Sequence, residues 1–492
     1  MNIYSGESTD HDGIPVGVGV DWSVEDGDAL VAGPVDDAPG EARAAGKPEP
    51  AGTADDKVHH GQVRMAYRLA EQYVGKLLYV YGIGWLSWDG TRWTDEDPGS
   101  PTRAVVAVLK AALGDSIADK ELRADIAKCE SSTGVAGVLT LAGALPPLTA
   151  TVADLDADPY ALNVANGTLD LLTGVLRSHR PEDRITKVTT GAYNADANST
   201  VWDAFLDRVL PDAEVRGFVQ RVVGVALLGT VVEHVLPILT GTGANGKGVF
   251  YGAVLDALGD YAGTVEPDLL LHRQGAHPTG EMDLMGKRFV VLSETERDRR
   301  MAEATMKRLT GGDKIRARRM RQDFIEFKPS HTVVMITNNL PRVSGDDQAI
   351  WRRLRVVPFA VTIPKDQWDR HLGETLKLHA DAVLKWAVTG LADYTARGGL
   401  DEPTTVLAAT NGYQLSSDAV GRFVAEECTL GAVLKSTTTQ LHERWCSWAR
   451  DDGAEDMSLR AFGQALDRHG YPTSTSSSSR FRIGIMPKVV LS

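Results

Sequence analysis

The residues whose types and spacing bear most directly on chemistry run Gly241-Thr242-Gly243-Ala244-Asn245-Gly246-Lys247-Gly248. They follow an apolar run, Val235–Leu239, and precede a helical stretch, Val249–Leu258. That strand–loop–helix setting is the one a phosphate-binding loop requires. Glycines let the backbone curl so that successive N–H groups face phosphate oxygens, and the helix N-terminus adds a favourable dipole. Lys247 is placed to reach the β- and γ-phosphates. The residue after the lysine is ordinarily Ser or Thr, whose hydroxyl ligates Mg²⁺; here it is Gly248, which leaves the metal to water or to other residues.

Forty-seven residues past the lysine, the apolar run Arg288–Leu292 ends in Ser293-Glu294-Thr295-Glu296. A carboxylate at a strand end beside such a loop can hold hydrated Mg²⁺ or orient the attacking water. Glu294 and Glu296 share one side of an extended strand, and their roles are not divided by the sequence, with Glu294 the candidate metal ligand. A third apolar run, Thr332–Ile336, ends in Thr337-Asn338-Asn339, where an amide can contact the γ-phosphate and the water; Asn338 is preferred over Asn339. Arg352 or Arg353, in Trp351-Arg-Arg-Leu-Arg355, can stabilise transition-state charge across a subunit interface or serve in a surface salt bridge. Residues 314–321 hold five cations, Lys314, Arg316, Arg318, Arg319 and Arg321, after a Gly-Gly turn. Alternating charge predicts a β-hairpin that presents Lys314, Arg316, Arg318 and Arg319 to a nucleic-acid backbone. The competing reading is an exposed charged hairpin or an interface pairing.

These residues need elements to hold them. At 492 residues the chain exceeds one ordinary core, and its 43% hydrophobic, 24% charged composition is that of a globular protein. No apolar run is long enough to span a membrane and no secretion signal is present, so a cytoplasmic setting is expected. The three scattered cysteines suggest neither disulfides nor zinc. Residues 1–57 carry thirteen acids against three bases, so ten of the fourteen net negative charges sit there. With no apolar periodicity this segment is expected to be a disordered acidic tail.

The spacing Val63, Tyr67, Ala70, Val74, Leu77 predicts a helix from His60 to about Val80, and Tyr81–Trp93 two aromatic strands about an Asp89-Gly90 turn. Helical texture over 103–146 and 200–230, with a strand–turn–strand at 166–174, makes 58–210 an α-rich domain with small β elements. Apolar strands alternating with helices over 211–400 predict an α/β sheet covered on both faces. Residues 401–492, read as helix–helix–strand with a Ser/Thr-rich turn, are expected to form a small winged-helix-like domain.

With these residues in hand the chain resembles the superfamily 3 helicase domain of phage and plasmid primase–helicases. The resemblance rests on Gly-x-Gly-x-Asn-Gly-Lys at 241–247, Gly286-Lys-Arg288 leading to Ser293–Glu296, and Leu309-Thr-Gly-Gly-Asp313 with Ala317-Arg318. It continues through Phe327-Lys-Pro329, Thr337–Pro341 and Trp351–Phe359, and upstream through Asn163–Leu171 and Trp202-x-x-Phe205. It implies a P-loop, AAA+-like α/β motor assembling into a homo-hexameric ring. It further implies ATP with Mg²⁺, 3′→5′ translocation on single-stranded or forked DNA, and a role in replication. The bacterial host cytoplasm is the setting if the source is a phage. A primase is expected to be a separate protein or absent, alongside other replication partners. A second reading keeps the C-terminal module for DNA and nucleotide for assembly only, making an origin-binding or scaffold protein; Gly248 favours it.

Overall fold

The computed structural model describes residues 59–266, 269–270, 278–293, 299–318, 324–343, 347–454, 456–476 and 479–488. The acidic tail and the residues Glu294, Glu296, Arg319 and Arg321 lie outside the described residues. The chain divides into two compact units, residues 1–193 with 321–327, and residues 194–320 with 328–492.

In the first unit, helix α1 (Gly61–Tyr73) is followed by strands β1 (Leu77–Val80), β2 (Gly84–Trp88) and β3 (Trp93–Thr94). Helices α2 (Ser100–Asp115), α3 (Lys120–Cys129) and α4 (Ser132–Ala142) come next, then β4 (Thr149–Ala150) and the small sheet β5 (Ala161–Val164), β6 (Gly167–Asp170), β7 (Leu176–Arg177). The sheet order is β3-β2-β1-β4, with β4 parallel to β1. Met65, Ala66, Leu69 and Ala70 of α1 pack with Val105, Val108 and Leu109 of α2 and Ile126 of α3 in one apolar core.

That burial corrects the sequence expectation for α1. The helix stops at Tyr73, not near Val80, because Val74 is already extended and Gly75 takes φ +74°. A glycine in the left-handed region is a common helix terminator. Val63 and Val74 are exposed and Leu77, though buried in the same core, belongs to β1, so of the expected stripe only Ala70 is buried within the helix. The Asp89-Gly90 turn forms as expected: Gly90 takes φ +105° and the Asp89 carboxylate accepts from the Thr91 and Arg92 N–H groups.

The second unit begins with α5 (Thr200–Val209) and α6 (Ala213–Val225), then β8 (Leu236–Thr240), α7 (Lys247–Leu258), β9 (Ala262–Val265) and β10 (Phe289–Ser293). It continues with α8 (Glu303–Leu309) and β11 (Ile315–Ala317); β12 (Ile325–Phe327) groups with the first unit. Strand β13 (Thr332–Thr337), the short α9 (Gln348–Trp351), β14 (Leu354–Pro358), α10 (Leu372–Lys377) and α11 (Ala380–Arg397) complete the centre. Five strands form an all-parallel sheet, order β14-β8-β13-β10-β9. Almost every residue of β8, β10 and β13 is buried, as a sheet covered on both faces requires. Helices α6 and α11 cross with their backbones nearly touching: a Cβ on Gly224 would lie 2.2 Å from the Leu391 nitrogen, and one on Gly390 2.1 Å from the Gln220 oxygen. Buried Arg221 fixes the crossing by donating to the carbonyls of Leu400 and Asp401 and to Asp393.

Helix α12 (Thr404–Ser417) leads into α13 (Ala419–Glu427), β15 (Cys428–Ser436), α14 (Thr438–Asp452), α15 (Leu459–Arg468), β16 (Thr473–Ser476) and β17 (Ser479–Pro487). The strands form an antiparallel sheet, order β15-β17-β16, around Phe423, Leu441, Trp445, Phe462 and Ile485. β15 is an element that the helix–helix–strand reading did not include. Its residues from Thr429 to Lys435 are exposed or half-buried and its register slips between Leu430 and Lys435, so no alternation marks it in the sequence.

Candidate functional site: a glycine loop at the carboxyl edge of the parallel sheet

Strand β8 ends at Thr240, and the chain turns through Gly241–Gly246 into α7. The turn needs left-handed backbone at Gly243 (φ +95°), Ala244 (+52°) and Gly246 (+82°). Two of the three are glycines, which adopt it without penalty. Gly241 and Gly246 are also fixed by space. A Cβ on Gly241 would lie 2.2 Å from the Asn245 amide nitrogen and 2.5 Å from the Phe359 oxygen; one on Gly246 would lie 2.4 Å from Val209. Gly248 differs: it is exposed and a Cβ there would meet nothing within 4 Å.

The loop is tied from below and beside. The Asn245 amide, 4% exposed, donates to the Phe359 carbonyl at 3.2 Å, and the Ile363 N–H donates to the Ala244 carbonyl at 2.7 Å. Beneath it Phe250 of α7 stacks on Trp202 and packs against Phe359 and Trp386. The chain just past β14 therefore sets the loop's shape. Sequence reasoning missed this, since the carbonyl of Phe359 carries no side-chain signature.

Lys247 opens α7 with its side chain almost wholly buried. Its ammonium donates to the Gly241 carbonyl at 2.9 Å and to Oδ1 of Asn338 at 3.1 Å. Burial holds its pKa below the usual lysine range. Two neutral acceptors are what an anionic ligand replaces with gain. Asn338 reaches the lysine because Thr337, the last residue of β13, is in register with Thr240, the last of β8. Asn339 is positioned differently: its N–H and carbonyl both engage the Thr337 hydroxyl. Strand β10 ends one step away, with Ser293 in register with Ile336. Glu294 and Glu296 follow directly in sequence.

Ligands in parallel α/β sheets bind outside the carboxyl ends of the strands where the strand order reverses. β8 has this place: its connection runs to the far edge at β9, while β14 returns on its other side. The residues present suit a polyphosphate. Among them no hydroxyl occupies position 248, and among the described residues no group of three His, Cys, Asp or Glu side chains could hold a metal ion.

The arginine pair separates. Arg352 is exposed at the end of α9, whereas Arg353 donates to the Ala349 carbonyl and its Nε is buried. Burial, then the neighbouring Arg352, lowers the pKa of Arg353. Helix α9 is started by Asp347, which accepts from the Ala349 N–H and pairs with Lys307 of α8. In β11, Ile315 and Ala317 are fully buried while Lys314, Arg316 and Arg318 alternate with them on the exposed side. A cavity of about 470 Å³ lies elsewhere in this unit, lined by Arg342, Tyr413, Arg422 and Arg468 among others. It touches no loop residue, and its Arg422–Asp452 and His469–Asp418 pairs are internally satisfied.

Comparisons with known proteins find partial matches. Residues 66–211 match the family described as D5 N terminal like, and residues 239–353 match a family of unknown function, DUF5906. Over residues 66–211 the chain is thus similar to D5-like proteins, and the curated relatives it matches are named putative helicases and primases. Its curated relatives include "Putative helicase L207/L206" of Acanthamoeba polyphaga mimivirus, 29% identical over 49% of this chain and 26% of that protein. "Putative helicase 022R" of Frog virus 3 is 27% identical over 54% of this chain and 29% of that protein. "Putative primase C962R" of African swine fever virus is 26% identical over 41% of this chain and 22% of that protein. The chain thus spans about a quarter of the length of the curated relatives it matches. Among solved structures, the A-form apo structure of the NrS-1 C-terminal region superposes with a TM-score of 0.47 at 9% identity, covering 87% of this chain and all of that one. No helix among the described residues is long and apolar enough to cross a membrane.

Proposed function

We propose that this chain is an ATP-driven motor on DNA, acting as a helicase. The observation that carries the reading is the buried Lys247 ammonium at the start of α7, held by two neutral acceptors, Gly241 and Asn338, at the carboxyl edge of the parallel sheet. In this reading Gly241–Gly248 is a P-loop whose N–H groups and Lys247 bind the triphosphate of ATP. Asn338 contacts the γ-phosphate and the attacking water, and Glu294 or Glu296 orients that water or holds hydrated Mg²⁺. Because position 248 has no hydroxyl, Mg²⁺ is held chiefly by the phosphates and water. Exposed Arg352, rather than Arg353, serves a neighbouring subunit's site, which makes a homo-hexameric ring the working form. Lys314, Arg316, Arg318 and Arg319 contact the backbone of single-stranded or forked DNA as the ring translocates.

The domain division follows: an acidic tail over 1–57, a D5 N-terminal-like domain over 58–210, a motor over 211–400, and a winged-helix-like module over 401–492. The α13-β15-α14-α15-β16-β17 order supports the last, with β16–β17 as the wing. A separate primase and other replication proteins are the expected partners, in the cytoplasm. The missing hydroxyl at Gly248 favours a second reading, an origin-binding or scaffold protein that uses nucleotide for assembly. Unwinding of a forked duplex by the purified chain with ATP separates the two. Strand separation supports the motor; duplex binding without separation, even with a primase added, supports the scaffold.

A further inference from the structure

We propose that Trp368 is the platform on which the base of the bound nucleotide stacks. This rests on the reading of Gly241–Gly248 as a triphosphate cradle, and adds the specificity subsite that the loop lacks. Apart from the Thr242 hydroxyl and the Asn245 amide, which is spent on the Phe359 carbonyl, the loop's own groups are backbone N–H donors and one ammonium, which suit phosphate and leave the base unread. Beside the loop stands a large aromatic ring with half its surface in solvent: Trp368 is 50% exposed. Tryptophan is buried to a high degree on average, and an exposed indole beside a ligand loop is a stacking surface in waiting.

The ring is anchored to the loop by two consecutive hydrogen bonds. Its Nε1 donates to the Ile363 carbonyl at 2.9 Å, and the Ile363 N–H donates to the Ala244 carbonyl at 2.7 Å. The indole's polar edge is therefore spent on backbone and its orientation is fixed relative to Ala244. The loop and the Trp368 segment are both tied to α5. Phe205 and Val209 of α5 close on Gly246, and Arg208 between them hydrogen-bonds Gln367, the neighbour of Trp368. A base leaving the phosphates past Ala244 can reach the exposed face of the Trp368 ring. The polar groups at those contacts are Arg208 and Gln367, so the flat π-face on offer is the Trp368 ring.

Binding of ATP and of inorganic tripolyphosphate to the full-length chain tests this, with Trp368→Ala, Trp368→Phe and Lys247→Ala alongside. Base–aromatic stacking predicts that Trp368→Ala weakens ATP binding by about 5- to 150-fold while tripolyphosphate affinity is unchanged. Trp368→Phe should recover most of the loss. Unchanged ATP affinity in Trp368→Ala, or an equal loss for both ligands, overturns the stacking role while leaving the loop assignment intact. If Lys247→Ala binds both ligands as wild type does, or wild type binds neither, the loop assignment itself fails.

Discussion

Gly246 and Gly248 stand two residues apart, and alanine should have opposite effects at them. At Gly246 the backbone has φ +82°, where a side chain costs about 1–2 kcal/mol. The added Cβ would also lie 2.4 Å from Val209 and 3.2 Å from Phe205, both in the buried face of α5. Overpacking of this kind costs a further ~1–3 kcal/mol, so Gly246→Ala should destabilise the second unit by about 2–5 kcal/mol. Gly248 lies in the first turn of α7, exposed, and a Cβ added there would have no neighbour within 4 Å. There the same substitution removes glycine's backbone entropy and should stabilise by up to ~1 kcal/mol. Equilibrium denaturation followed by tryptophan fluorescence reads the difference, because Trp202 stacks on Phe250 one turn into α7. Equal stability of the two variants, or a loss at 248 matching that at 246, would refute the loop geometry.

Two further outcomes follow from single residues and one strand. His331 is 2% exposed and burial pushes its pKa down to about 4; the Leu309 backbone opposes this only in part. Its folded pKa lies below the unfolded value of about 6.5, so the unfolded chain takes up the proton first. Stability from this residue is therefore complete above pH 6.5 and is lost as pH falls to about 4, by roughly 3 kcal/mol. His331→Gln should flatten that part of the stability–pH curve, and an unchanged slope would contradict the burial argument. On β11, replacing Lys314, Arg316 and Arg318 with Gln should lower the slope of log affinity for single-stranded DNA against log salt by about 2, at about 0.7 per lost phosphate contact. An unaltered slope would remove this strand from the DNA path.

How much of this was readable in the sequence depended on what each residue had to satisfy. The glycine loop was readable because its constraints are local: Gly243 and Gly246 need left-handed backbone, and Lys247 follows at helix N1. The sheet strands were readable because burial on both faces leaves continuous apolar runs such as Val333–Ile336. Helix α1 was misjudged at its end, since Val74 and Leu77 continue the period by chance while Gly75 decides the boundary. β15 was unreadable because a slipped register and exposed Leu430 and Val433 leave no alternation. The division between Arg352 and Arg353 was equally hidden, because it depends on which side chain the α9 carbonyl at Ala349 captures. The tether from Asn245 to Phe359 spans 114 residues and involves a backbone carbonyl, which no side-chain pattern announces.

Steady-state ATP hydrolysis by the purified chain, measured across protein concentrations with and without single-stranded DNA, bears most directly on the motor. The rate per subunit should rise with concentration as protomers complete each other's sites, rise again with DNA, and vanish in Lys247→Ala. Hydrolysis that persists in Lys247→Ala, or a chain that stays monomeric and indifferent to ATP and DNA together, would contradict it.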